Sequence, residues 1–344
     1  MTIRLDDIAR QAGVSTATVS RVLNGRVGVS EQARRSVLTA IDVLGYERPV
    51  TLRGRATGLI GVLVPELRNP IFPALAEAIE IALAHHGYNH LLCTRNPGIS
   101  GERAYIDMLS SHGVAGIIFV SGIHSDTTAE TEQYQELITS GMPLAFINGY
   151  AAELDAIFVS TDDSVAMELG VRHLADLGHT NIGLAVGPER YLPSAGKIDG
   201  FRAAHARHLP NEPHAVHVGG YTVESGRAAA KTLIGQGATG IVCASDFIAL
   251  GAVRGARELG LHVPDDFSII GYDGSLLTAY TDPPLTTIRQ PVDTIAQTTV
   301  EALIDDIAGR PVPHTEITIQ PELVVRDSTG RYRPRLARAG QRAP

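Results

Sequence analysis

Two cysteines in 344 residues exclude a disulfide framework. Cys93 and Cys243 sit inside apolar runs, so both read as buried thiols rather than as a disulfide or a metal site. The thirteen histidines fall in no metal-ligand spacing, and neither a metal nor a cofactor is expected. No apolar run reaches the roughly 18 residues of a membrane span. The N-terminus, MTIRLDDIAR, is charged and has no apolar signal region, which points to the cytoplasm. Catalytic signatures are missing too. There is no G-x-S-x-G and no H-E-x-x-H, and Gly196-Lys197 lacks the rest of a phosphate loop. GQGATG at 235–240 matches G-x-G-x-x-G, but it follows a helical segment and precedes a strand, the reverse of a dinucleotide-binding context. No enzyme is expected.

What the chain does carry is a strong charge asymmetry. The net charge is −8, yet residues 1–55 hold nine Arg against five acids, and the tail from Arg331 holds five Arg and no acid. An acidic body with a basic head argues for an anionic polymer at one end. The head has the pattern for it in residues 5–24, LDDIARQAGVSTATVSRVLN. Leu5, Ile8, Ala9 and Ala12 recur at helical spacing, Gly13 breaks the run, and Ser15 is an N-cap for a second helix from Thr16. Two short helices about a glycine turn read as a helix-turn-helix, or else as a small structural hairpin. In the first reading Ser15, Thr16, Ala17, Ser20, Arg21 and Asn24 face the major groove. Small residues allow close approach, and Arg21 reaches a guanine edge or a phosphate. Residues 29–46 predict a third helix, capped by Ser30 and facing inward through Val37, Ile41 and Leu44.

The string IARQAGVSTATVSRVLN resembles the LacI/GalR family of bacterial transcription regulators, and GYDGSLLTAYTDPPLTTIRQP adds a second resemblance. Together they extend from about residue 3 to about 327. The resemblance implies a hinge helix in the linker 47–58, ERPVTLRGRATG, with Leu52 wedged into the minor groove of a palindromic operator. This chain departs from the family there. It is about three residues shorter between Tyr46 and Leu52, and it has Pro49-Val50 where Ala-Arg is usual.

From residue 59 apolar strands alternate with amphipathic helices in two series, which implies two parallel sheets with helices on both faces and a cleft between lobes. The expected architecture is a small all-α head (1–46), a hinge (47–58) and a two-lobed α/β core (59–327) of the periplasmic-binding-protein-like kind that the resemblance implies. Lobe one spans about 59–159 and 289–320, and lobe two about 160–288 and 321–327. A disordered basic tail (328–344), without leucine heptads, would follow. Phe72 and Tyr221 are aromatic platform candidates; Phe72 also reads as a core residue. Asp162, Asp246 and Asp273 stand at carboxyl ends of strands, where they either cap helices and turns or accept bonds from a polyol. Asp246 and Asp273 coincide with effector-contacting positions of the resembled family. Lys197 stands where that family usually has Arg, and Lys lacks the bidentate fork.

The reading is a homodimeric DNA-binding regulator, a repressor, whose operator affinity follows a small effector in the cleft: a sugar, with a nucleoside as the alternative. An architectural or activating DNA binder with a vestigial cleft, a solute-binding protein, and an enzyme with a nucleotide site, for which no phosphate loop is present in the right context, are the rivals. The second leaves residues 1–55 without a purpose.

Overall fold

The structure is a computed structural model that describes residues 5–23, five residues within the third expected helix (Ala33, Ser36, Val37, Thr39, Ala40), 58–95 and 101–333. In the head, α1 (Leu5–Ala12) and α2 (Thr16–Leu23) are joined by a turn in which Gly13 takes φ +66°, a region that favours glycine. Ser15 caps α2: its hydroxyl accepts the Thr18 amide at 3.2 Å. Ile8, Ala9, Val19 and Val22 bury together with Val37 and Ala40 in one small core. Leu5 departs from the expected inward face and is 41% exposed. It is the first residue of α1.

The core contains two six-stranded sheets. The first has the order β11-β5-β4-β3-β1-β2, with β1 Leu59–Val64, β2 Asn89–Thr94, β3 Gly116–Val120, β4 Leu144–Ile147, β5 Ile157–Thr161 and β11 Glu316–Ile319. The second has the order β12-β10-β9-β8-β6-β7, with β6 Ile182–Val186, β7 His214–Val218, β8 Gly240–Cys243, β9 Ser268–Asp273, β10 Thr286–Arg289 and β12 Glu322–Val324. Central strands such as GIIFV and LAFI are buried at every position, as strands covered by helices on both faces must be. The pairs β1–β3, β3–β4, β4–β5, β5–β11, β6–β7, β6–β8, β8–β9 and β9–β10 are parallel, and β12 runs antiparallel to β10. Connections are helices: α3 (Ile71–His85), α4 (Glu102–Ser111), α5 (Glu132–Thr139) and α10 (Val292–Ile307) in lobe one, and α6 (Asp163–Asp176), α7 (Leu192–His208), α8 (Val223–Gly235) and α9 (Asp246–Glu258) in lobe two.

The chain crosses between lobes three times, after β5, after β10 and between β11 and β12. The first crossing lies past Thr161 rather than near 159, because β5 continues pairing with β11 through Thr161↔Ile319. The expectation that order ends at 327 is corrected. Ser328 is fully buried and its hydroxyl accepts the Thr286 amide at 2.8 Å. The Gly330 carbonyl takes the His179 imidazole at 3.0 Å, and the Tyr332 amide bonds Leu177 O at 2.9 Å. Lobe two therefore includes residues to at least Tyr332; residues 334–344 lie outside the described residues. No described helix is long and apolar enough to cross a membrane.

Candidate effector cleft and DNA-binding head

The carboxyl ends of both sheets face a cleft of about 1110 Å³ between the lobes. Lobe one contributes Phe72, from the first turn of α3, together with Ser121, Asn148 and Tyr150 beyond β3 and β4. Lobe two contributes Lys197, Tyr221, Tyr272 and Asp273. Three non-glycine residues of the cleft hold positive φ: Ser121 (45°), Asn148 (66°) and Asp273 (109°). Each stands at the end of a strand, where a sharp turn aims its side chain inward. Such backbone costs on the order of 1–3 kcal/mol apiece and concentrates at ligand sites.

Five of the six expected effector residues line this cleft: Phe72, Asp162, Lys197, Tyr221 and Asp273. Their commitments differ. Asp162 caps α6 through the Val165 amide (2.9 Å) and accepts Gln320 Nε2 at 3.1 Å. Tyr221 shares a hydrogen bond with Ser194 at 2.8 Å. Lys197 is buried, with Nζ 2.7 Å from Asp163 Oδ1 and 4.2 Å from the centre of the Tyr272 ring. Burial is the largest single influence and opposes its charge, but Asp163, Tyr221 and Asp273 together outweigh it and raise the ammonium's pKa above its ordinary value. The Tyr272 hydroxyl donates to the same Asp163 oxygen at 2.9 Å. The single lysine cation of the expected site is thus neutralised from within the protein.

Asp273 is the least committed. It is buried, its Oδ1 accepts Gln290 Nε2 at 2.8 Å, and its Oδ2 has no partner among the described residues. Gln290 in turn accepts the Thr161 hydroxyl at 2.8 Å, linking two interlobe crossings to this carboxylate. Burial, and then the nearby charge of Asp246, push the Asp273 carboxyl well above the usual carboxylate range.

Asp246 is corrected: it does not line the cleft. It is 2% exposed beneath it, accepting the Ser275 amide and hydroxyl at 2.8 Å each and the Thr287 hydroxyl at 2.7 Å. Burial pushes its pKa up to about 6. It fixes the 273–275 turn and so positions Asp273. The sequence reading missed Asp163, Tyr272, Asn148 and Gln290. The pair Asp162-Asp163 after a strand was the one visible signal for Asp163.

In the head, Ser15, Thr16 and Ala17 are exposed and Ser20 is half-exposed, on the face of α2 away from Val19 and Val22. Arg21 belongs to α2, but its side chain lies outside the described residues, as do Asn24 and Leu52.

A helix-turn-helix head and a two-lobed core with a polar, aromatic cleft define a ligand-responsive DNA-binding regulator. The comparisons agree. Residues 4–48 match the lacI family of bacterial regulatory proteins, and residues 171–329 match a periplasmic-binding-protein-like domain. The chain is 53% identical over 334 residues to the HTH-type transcriptional regulator MalR of Streptomyces coelicolor, covering 96% of this chain and 97% of that protein. It is 33% identical over 331 residues to the CytR repressor of Escherichia coli, covering 94% and 96%. Among solved structures it resembles the lac repressor dimer bound to operator and an anti-inducer, with TM-score 0.73, 26% identity, and coverage of 96% and 100%. It also resembles the CelR–cellobiose complex, with TM-score 0.70, 26% identity, and coverage of 95% and 100%. The chain belongs to the lacI family of bacterial regulatory proteins. It is a helix-turn-helix transcriptional regulator with an effector-binding core.

Proposed function

We propose that this regulator is a homodimeric repressor whose operator affinity is set by a neutral saccharide in the interlobe cleft. The carrying observation is Asp273, a buried carboxylate whose Oδ2 is left without a partner at the cleft wall. An acceptor oxygen in that position bonds polyol hydroxyls, most strongly once the carboxyl ionises. Neutral ligands suit the cleft better than phosphorylated ones. Five carboxylates (Glu66, Asp162, Asp163, Asp273, Glu316) face three cations (Arg68, Arg95, Lys197), and Lys197 is already paired. Phe72, Tyr150 and Tyr221 supply ring faces. A nucleoside would use the same faces, so a thermal-shift screen of neutral sugars against nucleosides and sugar phosphates separates the readings. Stabilisation by phosphorylated sugars alone would overturn this one.

The head reading assigns Ser15, Thr16, Ala17, Ser20, Arg21 and Asn24 to the major groove and Leu52 of the 47–58 hinge to the minor groove. Arg21→Ala is expected to weaken specific operator binding by about 1 to 3 kcal/mol in a gel-shift titration. Unchanged affinity at matched salt removes Arg21 from the interface. In the same titration Leu52→Ala is expected to lose more specific than non-specific affinity, since only a kinked site uses a wedge. Equal losses would make the hinge a plain spacer.

One helix-turn-helix reads few base pairs, and dimers on a palindrome are the usual solution. The 3₁₀ segment Leu276–Tyr280 exposes Leu276 (77%), Leu277 (59%) and Tyr280 (79%), an apolar cluster that a second copy would cover. Leu277→Asp combined with Tyr280→Asp is expected to convert the dimer to monomer by sedimentation velocity. A dimer that persists at micromolar concentration would place the interface elsewhere.

A further inference from the structure

Away from the three crossings, the lobes also meet at a pair of loops. In lobe one, the single 3₁₀ turn Ile123–Ser125 leads into residues 126–128; in lobe two, Arg190 and Tyr191 precede α7. Asp126 and Tyr191 form an isolated antiparallel bridge. The Thr127 amide and hydroxyl both donate to Arg190 O, at 2.9 and 3.0 Å. The Arg190 guanidinium donates from Nε to Asp126 Oδ2 at 2.9 Å and from Nη2 to the Tyr191 hydroxyl at 3.1 Å, and it lies 4.8 Å above the Tyr191 ring. Asp126 is further oriented by the Thr128 amide and hydroxyl at 3.0 and 2.6 Å.

Both sides of this contact are fixed from behind. Under the lobe-one turn, Glu102 Oε2 accepts the Ile123 amide at 3.2 Å, and the Tyr134 hydroxyl accepts the His124 amide at 3.2 Å while donating to Glu102. Ser125, whose hydroxyl bonds Gly122 O at 2.8 Å, lines the cleft. On the other side Tyr191 also lines the cleft, and its carbonyl accepts the Ser194 and Ala195 amides that start α7, the helix that carries Lys197. A rigid loop of one lobe thus grips the origin of an effector-facing helix in the other.

We propose that this contact is an interlobe latch that sets effector affinity, with Arg190 as its positioning residue. An effector touching Ser125 or Phe72 on one side and Tyr221 or Asp273 on the other needs the lobes together, and the latch is made only when they are together. Latch and effector therefore stabilise the same lobe arrangement, and each makes the other easier to form. The inference rests on the effector reading of the cleft, but not on the effector being a sugar.

The test uses the full chain with Ser110→Cys and Gln236→Cys carrying spin labels, since both positions are exposed, one in each lobe, and Cys93 and Cys243 are buried. Labelled protein is diluted into excess unlabelled protein so that each assembly carries one labelled protomer. Without any ligand, Arg190→Ala is expected to lengthen and broaden the inter-label distance distribution, and Arg190→Lys to restore most of it. Asp126→Asn combined with Arg190→Ala is expected to add nothing to Arg190→Ala alone, because both changes remove one interaction. An unchanged distribution in Arg190→Ala, or equal loss in Arg190→Lys, overturns the latch. With cellobiose as the probe, Arg190→Ala is expected to raise Kd about fivefold, equivalent to ~1 kcal/mol. An unchanged Kd with a lengthened distance would also overturn the claim on affinity. If the wild type ignores cellobiose, that sugar's fit is refuted and the ligand-free distances still decide the latch.

Discussion

Gly251→Ala is expected to lower the melting temperature of the core by about 10 °C. A Cβ at residue 251 would lie 1.9 Å from Val223 O and 2.8 Å from the Arg227 amide nitrogen. Its neighbour across the interface has the reciprocal problem, because a Cβ at Gly226 would sit 2.0 Å from Ile248 O. Helices α8 and α9 thus pack backbone against backbone, and a backbone cannot rotate out of the way as a side chain can. The helices must separate, opening space between Ala229, Ala230, Ala249 and Ala252, all of which are buried. Overpacking of this kind costs about 3 kcal/mol, and each kcal/mol moves the midpoint of a domain of this size by about 2–4 °C. Differential scanning calorimetry checks it. A midpoint within about 2 °C of wild type would show that the two helices slide apart freely. The damage would also be functional, since α9 begins at Asp246, which holds the turn under Asp273.

That helix pair shows what a sequence does and does not reveal. The central strands announce themselves as short apolar runs bounded by turns, and the helices between them by length and spacing. Strands β11 and β12 do not, because EITI and ELV are short, half-exposed edge segments whose identity depends on the neighbours they pair with. The same division runs through the site. Strand ends put Asp162 and Asp273 at the cleft by topology alone. Nothing local distinguishes Asp246 from them, and the partners that bury it, Ser275 and Thr287, are 29 and 41 residues away. Lys197 was visible as a cation but not as a spent one, because its neutralising contact with Asp163 comes from another helix. The Asp126–Arg190 contact spans 64 residues and joins two loops of ordinary composition. Close approach of Gly226 and Gly251 is likewise a property of two helices, not of either one.

Asp273→Ala is expected to reduce saccharide affinity by at least about a hundredfold while leaving operator binding intact. Two charge-assisted bonds to ligand hydroxyls, at about 1.5 kcal/mol or more each, account for that loss. Asp273→Asn is the informative companion. Asn tolerates positive φ as Asp does, and it keeps an oxygen for Gln290 Nε2, so the 109° backbone and the Thr161–Gln290 link are preserved. Its remaining amide replaces the unpartnered Oδ2, and an intermediate loss of about tenfold is expected as charge assistance disappears. The carboxylate also predicts two opposite pH trends. Burial and the Asp246 charge raise the folded pKa of Asp273, and burial raises that of Asp246 to about 6. The stability Asp246 contributes is present below its unfolded pKa near 4 and is lost as pH rises through about 6, and Asp273 acts in the same direction. Without ligand, the wild type should therefore melt higher at about pH 5.5 than at about pH 7.5, and Asp273→Asn should flatten that difference. Saccharide affinity should move the other way, rising with pH as the acceptor ionises. Calorimetric titration with the sugar that gives the largest thermal shift, across a pH series, measures the second trend. A variant lacking the Asp273 carboxylate that still responds fully to that sugar would remove this residue from the effector site.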